Sequence, residues 1–254
     1  MIPRSGRVPR TASVALTAAL ARAALTALRA TAPGGRERWE RRNHAGRTVG
    51  LHAGPATALA TAVGVGRISP LAGAALIAVG GCGAYDDVAG DHRRGFRAHL
   101  AALREGEVTS GAVKLFGIGA AGLLAGAVLK ERPVDKVLAG IVIAGAAHFV
   151  NLVDVRPGRA AGAVVALAVP GLLCKEPGAA ESAAAVLGAA GAVLPEDLGE
   201  RVMLGDTGAH ALGAALGVVG AVAGGRAGLV GQAVGVVVAA VCGDRVSGLA
   251  RSLG

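Results

Sequence analysis

Residues 112–152, AVKLFGIGAAGLLAGAVLKERPVDKVLAGIVIAGAAHFVNL, decide the fold. Two apolar runs, 112–129 and 134–152, are separated by the polar KERP. Each is close to the length of about 20 residues that a helix needs to cross a bilayer. A soluble core helix would show a polar face, and here charge is confined to run ends and to Lys114. Two such runs joined by a short polar turn predict an antiparallel pair of transmembrane helices.

Working outward, the same alternation covers the whole chain of 254 residues, which is 53% hydrophobic. Nine apolar spans are expected, at about 11–30, 51–66, 68–85, 112–129, 134–152, 159–174, 178–194, 207–224 and 227–242. Several of these, the second and sixth foremost, are short or weak for a bilayer. The fold class is therefore all-α: a polytopic transmembrane helix bundle, with residues 1–254 forming one integral membrane domain. Small residues recur at helix-packing spacing, as in Gly213/Gly217 and Gly231/Gly235, where backbones can approach closely. The basic N-terminus before the first span resembles a signal peptide, but Arg22 interrupts the apolar run, so a retained first helix is expected.

Charge predicts orientation. Loops after odd-numbered spans carry sixteen lysines and arginines, among them Arg36, Arg38, Arg41, Arg42, Arg47, Arg93, Arg94, Arg97 and Arg156. The opposite loops carry six, or nine with Arg4, Arg7 and Arg10 of the N-terminus. The positive-inside rule then places the N-terminus outside and the C-terminus in the cytoplasm, in a multi-pass inner (plasma) membrane protein. The net charge of +9 is explained this way, and no nucleic-acid partner is expected, because no aromatic-interleaved basic surface accompanies it. Cys82, Cys174 and Cys242 form no CxxC pair and read as packing residues. No P-loop occurs.

The odd-numbered loops also carry the unusual acids. Asp86 and Asp87 end the third span, Asn151 and Asp154 the fifth, and Asp206 opens the eighth. Adjacent carboxylates at a span end are costly to bury and gain nothing by packing, so they are functional candidates. Carboxylates from three loops suit a hard cation such as Mg²⁺, and a helix N-terminus at Asp206 favours phosphate. Arg47 and Lys114 are cations placed to neutralise phosphate oxygens.

Four segments, in order, resemble the polyprenyl-phosphate N-acetylhexosamine-1-phosphate transferases. They are GAYDD (83–87), TSGAVKLFG (109–117), HFVNLVDVRPG (148–158) and VMLGDTGAHALG (202–213), preceded by RNHAGRTVGLHAGP (42–55), which is similar to the substrate loop after the first helix. The resemblance implies Mg²⁺-dependent transfer of a sugar-1-phosphate from a UDP-N-acetylhexosamine to a membrane polyprenyl phosphate, with release of UMP. It implies catalytic roles for Asp86, Asp87 and Lys114 and a Mg²⁺ ligand at Asp206, with Mn²⁺ as the substitute ion. It also implies substrate contacts from Arg47, His148, Asn151 and Asp154, an active face in the cytoplasm, and a homodimer as a compatible assembly. The chain departs from the family pattern at His148, where an asparagine is usual, and at Val155 and Pro157, where glycine and aspartate are usual. The late histidine-rich loop has no counterpart, and the stretch between Asp87 and Lys114 is longer than usual. The alternatives are a membrane scaffold that has lost catalysis and a transporter.

Overall fold

The structure is a computed structural model and describes residues 9–90 and 101–252. Arg4, Arg7, Arg93, Arg94 and Arg97, used above to orient the chain, lie outside the described residues. Ten α-helices occur among those described: α1 (Arg10–Thr31), α2 (Ala53–Gly66), α3 (Pro70–Ala89), α4 (Ser110–Leu129), α5 (Pro133–Val153), α6 (Arg159–Ala168), α7 (Pro177–Leu198), α8 (Gly205–Ala223), α9 (Arg226–Val241) and α10 (Gly243–Ser252). Local signals set several boundaries. The Ser69 hydroxyl accepts the Ala72 N–H at the start of α3, Thr109 does the same for Ala112 at the start of α4, and α3, α5 and α7 carry proline in the first turn.

Six helices, α1, α3, α4, α5, α7 and α8, are long and apolar enough to cross a membrane. α9 and α10 qualify only as one span, with a bend of 82° between them. The chain is thus a helical membrane protein with six or seven such helices among the described residues. The expected second and sixth spans correspond to α2, of 14 residues, and to α6, whose 10 residues continue into a 3₁₀ turn, Val169–Leu173. Both are short for a bilayer of about 30 Å. They still traverse the bundle in alternating directions. Gly54 at the start of α2 lies against Leu204 and Gly208, whereas Gly64 near its end lies against Thr17 and Ala185. Gly73 then meets the end of α2 at Ala62 and Gly66, and Gly83 meets α8 at Asp206 and Thr207. α2 and α3 are therefore antiparallel, and the end of α3 and the start of α8, with their acids, share one end of the bundle.

α7 and α8 form the centre: 67% and 72% of their apolar windows are buried, against 22% in α1. α5 and α8 share the most extensive helix contact. Gly213 abuts Ala146 and Ala147, and Gly217 abuts Ile143, so this small-residue pair packs as its spacing predicts. Gly231 and Gly235 have no neighbour, and the outer face of α9 exposes Val234, Val238 and Val241 instead. Buried Thr17, Thr57 and Thr61 satisfy their hydroxyls within their own helices, as where Thr61 donates to the Thr57 carbonyl at 2.7 Å. Arg22, which interrupts the first apolar run, pairs together with Arg29 with the buried Glu196 of α7. The cost of a charge within α1 is offset by this clamp between α1 and α7. The three cysteines are free thiols.

The all-α bundle carries one small extended element. Residues 40–50 form a hairpin of two short strands, β1 (Glu40–Arg42) and β2 (Thr48–Gly50), in register Arg41 with Val49. Asn43 makes the turn: its side-chain oxygen accepts the Ala45 and Arg47 N–H groups, and Gly46 takes a positive φ of 76°. Gly50 also bridges to Val202, fastening the hairpin to the loop before α8. Helical periodicity dominates so much of the chain that a three-residue strand pair carries no comparable signal.

Candidate functional site

At the end of the bundle where α3 stops and α4 and α8 begin, four of the expected residues converge. The Lys114 ammonium donates to Asp86 Oδ2 at 2.6 Å and to Asp206 Oδ2. Lys114, Asp86 and Asp206 side chains are 20%, 20% and 23% exposed, so the cluster is open to a ligand and not sealed in the core. Asp87 points elsewhere. Its Oδ1 accepts the Asp206 N–H at 2.9 Å, and its Oδ2 accepts both the Thr207 N–H at 2.9 Å and the Thr207 hydroxyl at 2.6 Å. Among the described residues, no group of three or more His, Cys, Asp or Glu side chains converges as a metal site.

Two helix histidines among the described residues lie near this cluster. His210, one turn into α8, is buried and its Nδ1 lies 2.7 Å from the Asp206 carbonyl oxygen. His148 is exposed on α5, within electrostatic reach of Lys114. Asn151 is half-buried in the last turn of α5, and Asp154 follows that helix directly.

Asp154 lines a recess of about 160 Å³ beside the cluster. The hairpin contributes Arg42, Asn43 and His44, the segment after α5 contributes Arg156, and the last turn of α7 and the segment after it contribute Asp197 and Glu200. Burial, followed by the charges of Asp197, Asp206 and Asp87, pushes the Asp154 carboxyl well above the ordinary carboxylate range. The sign of the consequence follows. A raised folded pKa stabilises the fold fully below the ordinary carboxylate pKa and loses that contribution as pH climbs through the raised value. Asp154→Asn should therefore match the native protein in Tm near pH 4 and exceed it by roughly 2–4 °C at pH 8. A Tm difference that does not change with pH would exclude this.

Arg47 is not directed at the cluster. Its guanidinium donates to Glu200 Oε1 at 2.9 Å, and Asn43 Nδ2 donates to Glu200 Oε2 at 2.6 Å. Glu200 occupies the left-handed region with φ 52°, a strained conformation for a non-glycine residue, and these two bonds hold it there. Three participants escaped the sequence reading. Arg41 reaches from the hairpin to the Asp87 carbonyl at 2.6 Å, and nothing in its surroundings distinguishes it from neighbouring arginines. Asp197 and Glu200 were detectable in principle. Glu196-Asp197 is a pair of acids at the end of an apolar span, the same signature that singled out Asp86-Asp87. Asp197 accepts the Gly158 N–H at 3.0 Å, tying the end of α7 to the segment after Asp154.

Chemically, the cluster presents a primary ammonium and two partly accessible carboxylates within one small area, while Asp87 takes the Asp206 and Thr207 N–H groups at the start of α8. An ammonium beside two carboxylates suits an anionic ligand accompanied by a hard cation. No protein-family model matches the chain, and no curated protein matches it.

Proposed function

We propose that the protein transfers a sugar-1-phosphate from a UDP-N-acetylhexosamine to a membrane polyprenyl phosphate, as a divergent polyprenyl-phosphate N-acetylhexosamine-1-phosphate transferase. The observation that carries the reading is Lys114 held between Asp86 and Asp206 at the mouth of a membrane bundle. Three loops distant in sequence converge there, and they are the loops with family-like motifs. The orientation that accompanies this reading has nine passes, the N-terminus outside and the acidic end in the cytoplasm, where nucleotide sugars are made.

In the proposed reaction an oxygen of the lipid phosphate attacks the sugar-bearing phosphorus of the UDP-sugar. The bond from that phosphorus to the bridging oxygen breaks, and UMP leaves with the bond's electrons. Lys114 neutralises a phosphate oxygen in the crowded anionic complex. Asp86 orients the lipid phosphate and takes up its proton where that phosphate is still protonated. Asn151, Asp154 and His148 border the nucleotide, with the recess beneath the hairpin as its place. Arg47 keeps positive charge at the rim while anchoring the hairpin. Asp206 and Asp86 would hold Mg²⁺, an ion that binds through one or two carboxylates, water and substrate phosphates and so needs no larger cage. When bound it would supply charge neutralisation across the diphosphate.

Purified protein incubated with polyprenyl phosphate, Mg²⁺ and a panel of UDP-sugars should release UMP with at least one sugar. Asp206→Asn should lower that release by at least ~10³-fold. Undiminished turnover in this variant would remove the metal assignment. One feature favours a second reading, a membrane scaffold: the Lys114 ammonium already fills the space between the two carboxylates. Folded protein that releases no UMP with any sugar would support the scaffold.

A further inference from the structure

We infer that the two adjacent aspartates have separate tasks: Asp86 faces the reacting groups, and Asp87 is a positioning residue that caps the N-terminus of α8 and thereby fixes Asp206. The catalytic half of this inference rests on the transferase reading; the capping half does not.

The first N–H groups of a helix have no partner within it. α8 lacks the usual solution, because Leu204 precedes it and offers no side-chain acceptor. The missing acceptor comes from another helix. Both oxygens of Asp87 are occupied by α8: one by the Asp206 N–H, the other by the Thr207 N–H and hydroxyl. Gly205 makes the approach feasible. It has a φ of 60°, and a Cβ there would sit 2.9–3.0 Å from the Asp87 carboxylate oxygens. Gly83, one turn earlier on α3, removes the bulk that would otherwise separate α3 from the same backbone. Arg41 completes the arrangement by donating to the Asp87 carbonyl from the hairpin.

Asp86 shares none of these bonds. Neighbouring residues on a helix point about 100° apart, so one carboxylate can face Lys114 while the next faces α8. With both oxygens accepting from backbone and hydroxyl donors, Asp87 is poorly placed to take a proton from a substrate. Its negative charge at a helix N-terminus is instead favourable in itself. Its effect on chemistry passes through Asp206, whose backbone it holds.

The two roles respond differently to substitution. Asparagine keeps one acceptor oxygen, enough for the Thr207 N–H and hydroxyl, but turns an amide NH2 toward the Asp206 N–H, whereas alanine keeps no acceptor. A proton acceptor would be lost equally in both. Hydrogen exchange of the 202–210 segment should show the largest acceleration in Asp87→Ala, a smaller one in Asp87→Asn, which keeps half of the cap, and no change in Asp86→Asn. UMP release should fall within about tenfold in Asp87→Asn, with an unchanged pH profile, and at least about tenfold further in Asp87→Ala. Equal loss of turnover in Asp87→Asn and Asp87→Ala, with native exchange in both, would overturn the inference. Should the native protein release no UMP, the transferase reading fails alone; the exchange pattern then decides the cap, and identical exchange in all three variants would overturn it.

Discussion

Lys114→Met should lower the melting temperature by roughly 10 °C and abolish UMP release, and millimolar Mg²⁺ should restore much of the lost stability but none of the activity. The reason is the charge arrangement. One ammonium serves two carboxylates, Asp86 and Asp206, each only about a fifth exposed. Methionine keeps the length and apolar stem of lysine but leaves two carboxylates facing each other without a cation. Breaking a largely buried ion pair from one side costs about 3 kcal/mol or more. At about 2–4 °C per kcal/mol for a chain of this size, that gives the expected shift. A divalent cation can take over the neutralising role, so Mg²⁺ or Mn²⁺ should raise the variant's Tm more than the native protein's. Sodium at matched ionic strength should not. Turnover stays low because a phosphate oxygen has lost its ammonium partner. Thermal unfolding in detergent with and without each cation checks this; an unshifted Tm, or equal rescue by sodium, would mean that the three groups do not act as one electrostatic unit.

Gly83→Ala should destabilise the protein by about 2–3 kcal/mol and depress turnover at least tenfold, while Gly81→Ala, two residues away on the same helix, should be neutral or stabilising by up to about 1 kcal/mol. A Cβ at Gly83 would lie about 2.6–2.7 Å from the Asp206 carbonyl carbon and Thr207 Cα. Backbone atoms cannot rotate away, so α3 and α8 must separate, and the Asp87 cap and the Asp86–Lys114–Asp206 cluster shift with them. Gly81 faces outward with no neighbour within 4 Å, and there alanine brings only its better helix propensity. The paired design controls for the chemistry of the substitution, since only position differs. Melting curves of the two variants, read beside UMP release, give the answer. Similar behaviour of both would show that α3 and α8 are not held at backbone contact.

Much of the site was legible because charge within apolar runs is rare. Asp86, Asp87, Lys114 and Asp206 stand out against long stretches of alanine, valine and glycine, and all four converge. Arg47 was equally conspicuous and lies outside the cluster: its guanidinium, long and exposed, bonds to Glu200, the carboxylate that the fold brings near the hairpin. The hairpin and the recess beneath it were not legible. Three-residue strands have no periodicity to detect, and the recess is assembled from three segments that are separated in sequence. Glycine spacing proved equally informative and uninformative in the same chain. Gly213/Gly217 meets α5, and Gly231/Gly235 meets nothing, because a small-residue stripe permits close approach without supplying a partner.

By itself the sequence determined that this is a helical membrane protein and that its unusual acids lie at one end of it. Both follow from patterns local to the chain: apolar length decides what can cross a bilayer, and reversal at each turn decides which loops share an end. The tertiary structure alone decided what each acid does there. Asp86 and Asp87 are chemically identical neighbours, and no local property separates them. They differ because successive residues on a helix face different directions, and only the packing of α3 against α4 and α8 places an ammonium in one direction and an uncapped helix end in the other.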